Sequence, residues 1–297
     1  GINLADFNGI TDQVTVDGSL YELPFRSDYW LIYYNKDVFD AAGIAYPSND
    51  MTIEDYDALA RQLTDTTYGS QVYGCHYHTW RSAVELFGIL DGKHSILDGN
   101  YDWMIPYYDM ILSEEDDGVC QTYTDLSTEG LHYSAAFSNG NVAMMNMGSW
   151  FISTLISNLD SGEYDSSLCG NWGIASYPHP DGAEAGSTIA TITGLAVTSA
   201  SANKDAAFDF VNWVSGTEGA KVMASTGNFP AIMTDDVINT IAGMAGFPTD
   251  ESSKEALNIT NAYLEVPYAE NVSEINSILD TYHTSIMNRE VTVEEGV

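Results

Sequence analysis

Positive charge is scarce in this sequence: nine lysines and arginines stand against 43 aspartates and glutamates, a formal net charge of −34. Neutralising phosphates takes clustered Lys and Arg, so a nucleic-acid partner is excluded. Docking on anionic lipid is excluded for the same reason. Cysteine is scarce too. Cys75, Cys120 and Cys169 are widely spaced, with no Cys-x-x-Cys and no zinc-type Cys/His pattern, so neither a disulfide framework nor a structural metal follows. One pair could form and leave one thiol free; the spacing does not choose between the possibilities. No apolar run is long enough to span a bilayer. No basic segment with a cleavage site opens the chain, so any export signal would lie outside it. Gly-x-Ser-x-Gly, His-Glu-x-x-His, Gly-rich phosphate loops and Walker motifs are lacking, which argues against an enzyme. Two acidic stretches fail as calcium loops: Ser113–Thr124 has no closing Glu, and Asp91–Asp102 puts Lys93 where an oxygen ligand belongs. Both read as solvated loops. No internal repeat is found.

What is present is a chain of 297 residues, 44% hydrophobic, enough for two modest domains with a substantial core. Its organising stretch is Ser134–Trp150, SAAFSNGNVAMMNMGSW. A helix ends near Phe137, Asn139-Gly140 turns, and the short apolar run Val142–Met147 reads as a buried strand. Gly148-Ser149 stops it. Trp150 then opens a helix to about Leu159, which places an indole at a strand-to-helix corner, where clefts of α/β proteins commonly lie.

Before that stretch, Val16-Asp17-Gly18-Ser19 predicts a hairpin turn followed by a strand over Leu20–Leu23. Tyr29–Tyr34 is aromatic and β-branched enough for a strand. Asn35 caps the next helix, with Gly43 just past its end. Thr52-Ile53-Glu54-Asp55 has the form of a capping box for a helix through Leu63. Tyr73-Gly74-Cys75 predicts a short strand, and Tyr77, His78 and Trp80 crowd the start of the helix after it. Residues 102–112 read as a helix and Ser113–Gly118 as an acidic loop. Later come a strand over Asn171–Tyr177, a rigid Pro178–Gly182 turn that leaves His179 solvated, and strand character over Thr188–Thr198. Helices follow at Ala206–Val214, where Trp213 reads as a packing residue, and at Thr217–Thr226. The last, capped by Asn271-Val272-Ser273-Glu274, presents Val272, Ile275, Ile278, Leu279, Tyr282 and Ile286. Strands alternate with helices throughout, the pattern of an α/β fold.

Four blocks in this order resemble the extracellular solute-binding proteins of ABC importers, the sugar-binding, maltodextrin-binding-protein-like family. They are LPFRSDYWLIYYNKDVFDAAGI, AFSNGNVAMMNMGSW, WGIASYPHPDG and TGLAVTSASANKDAAFDFVNWVSGTEGAKVMASTGNFPA. The resemblance implies two α/β lobes of the periplasmic-binding-protein type (type II), closing over a ligand like a hinged clamp. It further implies a first lobe that is incomplete here, since the sequence begins just before the VDGSLYELP region. Residues 1–34 and 188–230 would form the crossover and the remainder of the N-terminal lobe, 35–187 mainly the C-terminal lobe, and 231–297 helices closing over both. The family reading also implies a non-catalytic, monomeric protein without cofactor. Its partners would be a carbohydrate and the membrane subunits of an ABC permease. It would be extracellular or periplasmic, anchored in full-length form as a lipoprotein.

Sugars offer apolar C–H faces and rings of hydroxyls, which flat aromatics and fixed polar groups recognise. The resemblance places a sugar-stacking aromatic at Trp150, and Tyr77, His78 and Trp80 where the family has a second aromatic cluster. Arg26 and Asp28 fall where a charged residue bonds sugar hydroxyls, or they pair with each other at the surface. Thr193 and Gly194 lie where a crossover strand meets the cleft, and Tyr268 and Asn271 precede the last helix. Asp28 beside Tyr29 and Trp30 keeps a polyamine ligand open as an alternative. A glycosidase is the rival from another class, but plentiful carboxylates do not amount to a catalytic pair at a defined separation.

Overall fold

The computed structural model describes residues 2–7, 9–65 and 71–297. Among the described residues six strands form its sheet: β1 (Leu23–Asn35), β2 (Tyr73–His76), β3 (Val142–Gly148), β4 (Trp172–Ser176), β5 (Ser187–Leu195) and β6 (Asn261–Leu264). β1 is the long central member, and it changes partners along its length. Its first part, Leu23–Tyr29, pairs antiparallel with β5, with a register shift between Pro24 and Arg26. Its second part, from Trp30 onward, runs antiparallel between β3 and β4. β2 adds parallel to β3 and β6 parallel to β5, so the sheet is mixed.

A strand with neighbours on both sides and layers on both faces must be apolar at successive positions rather than alternating. That is what the run YWLIYY supplies, and every residue from Ser27 to Asn35 is buried. The helices begin where local chemistry says they should. Asn35 accepts a hydrogen bond from the Asp37 N–H at 3.1 Å, opening Lys36–Ala42, which closes on Gly43 at φ 68°. Thr52 and Asp55 form the reciprocal capping box of Ile53–Leu63. Val16 and Ser19 exchange both backbone bonds around Asp17 and Gly18, both at positive φ, as a two-residue hairpin turn requires.

Several expectations need correction. Leu20–Glu22 is not strand; β1 starts only at Leu23, where β5 offers a partner. Ser113–Asp116 is the last turn of the helix Ile105–Asp116, not a loop, and Glu114 and Glu115 are buried. Packing against β2 and the following segment overrides the polarity of that run. His179 is buried as well: its Nε2 lies 3.3 Å from Asp50 Oδ1, and its backbone bridges Thr52. The helix Val272–Met287 has no side-chain cap at Asn271. It docks through Leu279, His283, Ile286 and Met287, the His283 ring meeting the Tyr108 hydroxyl at 2.9 Å, and this leaves Ile278 and Tyr282 exposed. Trp213 is exposed together with Phe208 and Phe210 on the helix Lys204–Val214, and so does not pack as expected.

Candidate functional site

The corner that ends β3 is built by three residues. Gly148 pairs with Trp30 of β1, and the Trp150 indole folds back over it. A Cβ on Gly148 would sit 2.1 to 2.4 Å from three ring carbons of Trp150, so only glycine permits this approach. Ser149 locks the corner to β1. Its N–H donates to the Tyr29 carbonyl at 2.8 Å, its hydroxyl oxygen accepts from the Tyr29 N–H at 3.2 Å, and the hydroxyl donates to Asp28 Oδ1 at 2.9 Å. Trp30, fully buried, meets the Trp150 ring edge-on at 5.5 Å and 83°. The Trp150 indole therefore rests on a fixed platform of backbone and aromatic edge while remaining only half-buried.

Other rings extend this surface. Trp80, 41% exposed, lies 6.2 Å from Trp150 at a tilt of 57°. His78 packs against Trp80 at 4.6 Å and against Tyr133 at 5.3 Å, and His132 covers Tyr133. Burial, with His132 nearby, lowers the His78 pKa to about 4. The shift favours the neutral imidazole at physiological pH, a flat and weakly polar ring. Burial raises the Tyr133 phenol, with the Trp150 indole beside it acting in the opposite sense.

Fixed polar groups lie at the β1 partner change. Arg26 Nε is 2.6 Å from Asp28 Oδ2, and Nη2 donates to Oδ1 at 3.2 Å. Burial raises the Asp28 carboxyl, while the Arg26 charge and the Ser149 hydroxyl draw it down. Opposite Asp28 on β5 stands Thr191, whose hydroxyl donates to Glu265 Oε2 at 2.6 Å. The other Glu265 oxygen accepts from the Ser82 hydroxyl, two residues beyond Trp80. Two carboxylates thus sit near one strand junction, each already oriented by protein donors.

The residues singled out by sequence separate into groups. Trp150, Trp80 and His78 come together, and Ser149 ties Arg26 and Asp28 to the same corner. Their ion pair is not a surface pair, because Asp28 is buried. Thr193 faces Arg26 across the β1–β5 ladder and is exposed. Gly194 lies under Glu22, whose carboxylate also accepts from the Tyr268 hydroxyl, so Gly194 and Tyr268 form a second group. Asn271 is exposed at its helix start. Tyr77 departs from the expectation: at 6% exposure it is a core residue, edge-on to Tyr56 and Phe87. Extended backbone after β2 turns alternate side chains to opposite sides, which sends Tyr77 inward and His78 outward. Sequence reasoning named Trp30 only beside Asp28 in the polyamine alternative, and passed over Ser149, Tyr133, Thr191, Ser82 and Glu265 as site residues. Ser149 was detectable as the hydroxyl beside the stacking candidate. Glu265 follows β6, a four-residue strand without a periodic signature.

Residues 2–221 match the bacterial extracellular solute-binding proteins. A sugar transporter protein from Rhizobium etli, solved in an open conformation, superposes with a TM-score of 0.93 at 48% identity, covering 99% of this chain and 74% of that one. An ABC substrate-binding protein from Listeria monocytogenes, in complex with cycloalternan, shares the fold at a TM-score of 0.77 and 22% identity, over 99% of this chain and 72% of that one. The mannitol-binding protein of Pseudomonas aeruginosa is 24% identical over 223 residues, 72% of this chain and 49% of that protein. The chain therefore spans about half the length of the curated relative it matches.

Proposed function

From the premise that this chain belongs to the bacterial extracellular solute-binding protein family, with its two-lobed α/β fold, we propose that it captures a carbohydrate and presents it to an ABC permease without catalysing a reaction. The observation that carries the reading is the pair of accessible indoles, Trp150 and Trp80, set beside oriented polar groups. A pyranose ring lays its C–H face on an indole and its hydroxyls between acceptors and donors. Trp150 is the principal stacking surface, with Trp80 and His78 widening it. Arg26, Asp28 and Glu265 bond hydroxyls from the strand junction. Thr193, Gly194, Tyr268 and Asn271 contribute from the far side of the junction, where glycine lets ligand approach backbone. The boundary between the lobes falls within β1, where its partners change.

A polyamine fits less well. It would seek unneutralised carboxylates, and Asp28 is already paired with Arg26. The sugar-transporter relative supports a sugar ligand, and the mannitol-binding relative makes open-chain polyols a necessary comparison. The test is a thermal-shift and calorimetric panel of monosaccharides, α- and β-linked oligosaccharides, sugar alcohols and polyamines. A saccharide should raise the melting temperature in step with its excess over Kd. Stabilisation by polyamines alone, or by no saccharide at any concentration, would overturn the proposal.

A further inference from the structure

Away from the aromatic corner, a buried cluster of Cys75, Glu114 and Cys120 has no part in the ligand reading. Cys75 lies on β2 and Cys120 just beyond the helix Ile105–Asp116, and both are buried. The two segments are joined backbone to backbone: the Gly74 N–H donates to the Val119 carbonyl at 2.9 Å, and the Cys75 N–H points to the same oxygen at 3.4 Å. Hydrogen-bonded neighbouring segments hold Cα atoms within the 4.4–6.8 Å or so that a disulfide spans. The two sulfurs and a Glu114 carboxylate oxygen all lie within 4.8 Å of one another. Cys169 is apart from them, its thiol directed at the Asp165 carbonyl at 3.7 Å.

We propose that Cys75 and Cys120 form a disulfide that clamps β2 to the end of the helix Ile105–Asp116, leaving Cys169 as the free thiol. The family is extracellular, and disulfides form and persist outside the reducing cytosol. The oxidant is a protein or small-molecule disulfide of that compartment. One cysteine thiolate attacks it, giving a mixed disulfide and one released thiol. The second cysteine displaces the other thiol and closes the Sγ–Sγ bond. The chain loses two protons and two electrons, and the oxidant is reduced to two thiols. Closure precedes final burial, since burial drives the Cys75 thiol well above its ordinary range and raises that of Cys120.

The same three groups could instead ligate a divalent ion. Only three ligand groups converge there among the described residues, one short of the four that a structural ion of this kind takes, whereas a disulfide needs only the two sulfurs. A disulfide introduces no charge there. It also anchors β2, from which the strand runs on to His78 and Trp80, and it stands whether or not the ligand is a sugar.

The chain is produced by export into an oxidising compartment, denatured without reductant, alkylated, and its intact mass read. The expected result is one alkyl group per chain, at Cys169, rising to three after reduction, with one cross-linked peptide joining Cys75 to Cys120. Three alkyl groups before reduction would refute the proposal, with or without one equivalent of zinc by elemental analysis, and so would a cross-link to Cys169. As a second measurement, dithiothreitol should lower the melting temperature of the native chain by several degrees and leave a Cys75→Ser/Cys120→Ser double variant unmoved. Equal responses in the two would count against the bond.

Discussion

Replacing Glu114 by Gln should make the protein more stable, by an amount that grows with pH. Glu114 is fully buried, and burial raises its pKa from 4.5 to about 8, with Asp57 adding to the rise and Tyr77 and Arg61 opposing it. A carboxyl whose folded pKa exceeds its unfolded one favours folding most below the unfolded value, where both states hold the proton. That contribution is lost as pH rises from 4.5 through about 8. The interval is about 3.5 pH units, and at about 1.4 kcal/mol for each unit the whole effect is about 5 kcal/mol. About 3 kcal/mol of it is already lost at pH 7. Glutamine has the same shape and no proton to lose, so Glu114→Gln should match the parent near pH 4.5 and exceed it progressively to pH 8. Guanidinium unfolding at several pH values reads this directly. With a slope of about 6 kcal/mol per molar for a chain of this size, the midpoints should separate by about 0.8 M at high pH. The net charge of −34 gives both proteins a further, nearly shared pH dependence, which the difference removes. Midpoint profiles that stay parallel from pH 4.5 to 8 would show that Glu114 ionises normally and that its burial does not govern it.

At the site, Trp150→Ala should cost the sugar about 2 kcal/mol of binding, roughly 30-fold in Kd by calorimetry, with little change in far-UV circular dichroism. Unchanged affinity would remove the indole from the site. Gly148→Ala should displace that indole, because the new methyl overlaps its ring; weakened binding and an altered tryptophan emission spectrum are expected, and a spectrum identical to the parent's would contradict the packing described. Arg26→Met strips a partly exposed cation from a buried carboxylate and should destabilise the chain by about 1–3 kcal/mol at pH 7. Much of that loss should vanish in Arg26→Met/Asp28→Asn, where no lone charge remains. Asn35→Ala should cost about 1 kcal/mol through its lost cap, read as a shift in the denaturation midpoint.

How much of this was legible in the sequence follows the range of the interactions. Asn35, Thr52 and the Asp17-Gly18 turn act over three or four residues, so their chemistry is written locally and the structure repeats it. The apolar run of β1 announces a buried strand but not that two sets of partners divide it. Glu114 read as solvated because composition carries no record of what packs on a helix end; the covering groups come from β2 and Tyr77, far away in sequence. Trp213 read as packing because it lies on a periodic apolar helix, yet its face and those of Phe208 and Phe210 are open. Within the site, the indoles were readable as types at a corner. The anchoring of Trp150 by Ser149 and Asp28, and the orientation of Glu265 by Thr191 and Ser82, arise only when distant strands meet.

One strand serving two sheet regions has a consequence for how the molecule comes apart. Freeing either region strips half of β1 of its ladder while the other half stays built into the region that remains. Neither region can melt alone at small cost, so heating should reveal a single cooperative transition. The amides of residues 30–35 should then be among the slowest to take up deuterium, exchanging only when the whole chain opens.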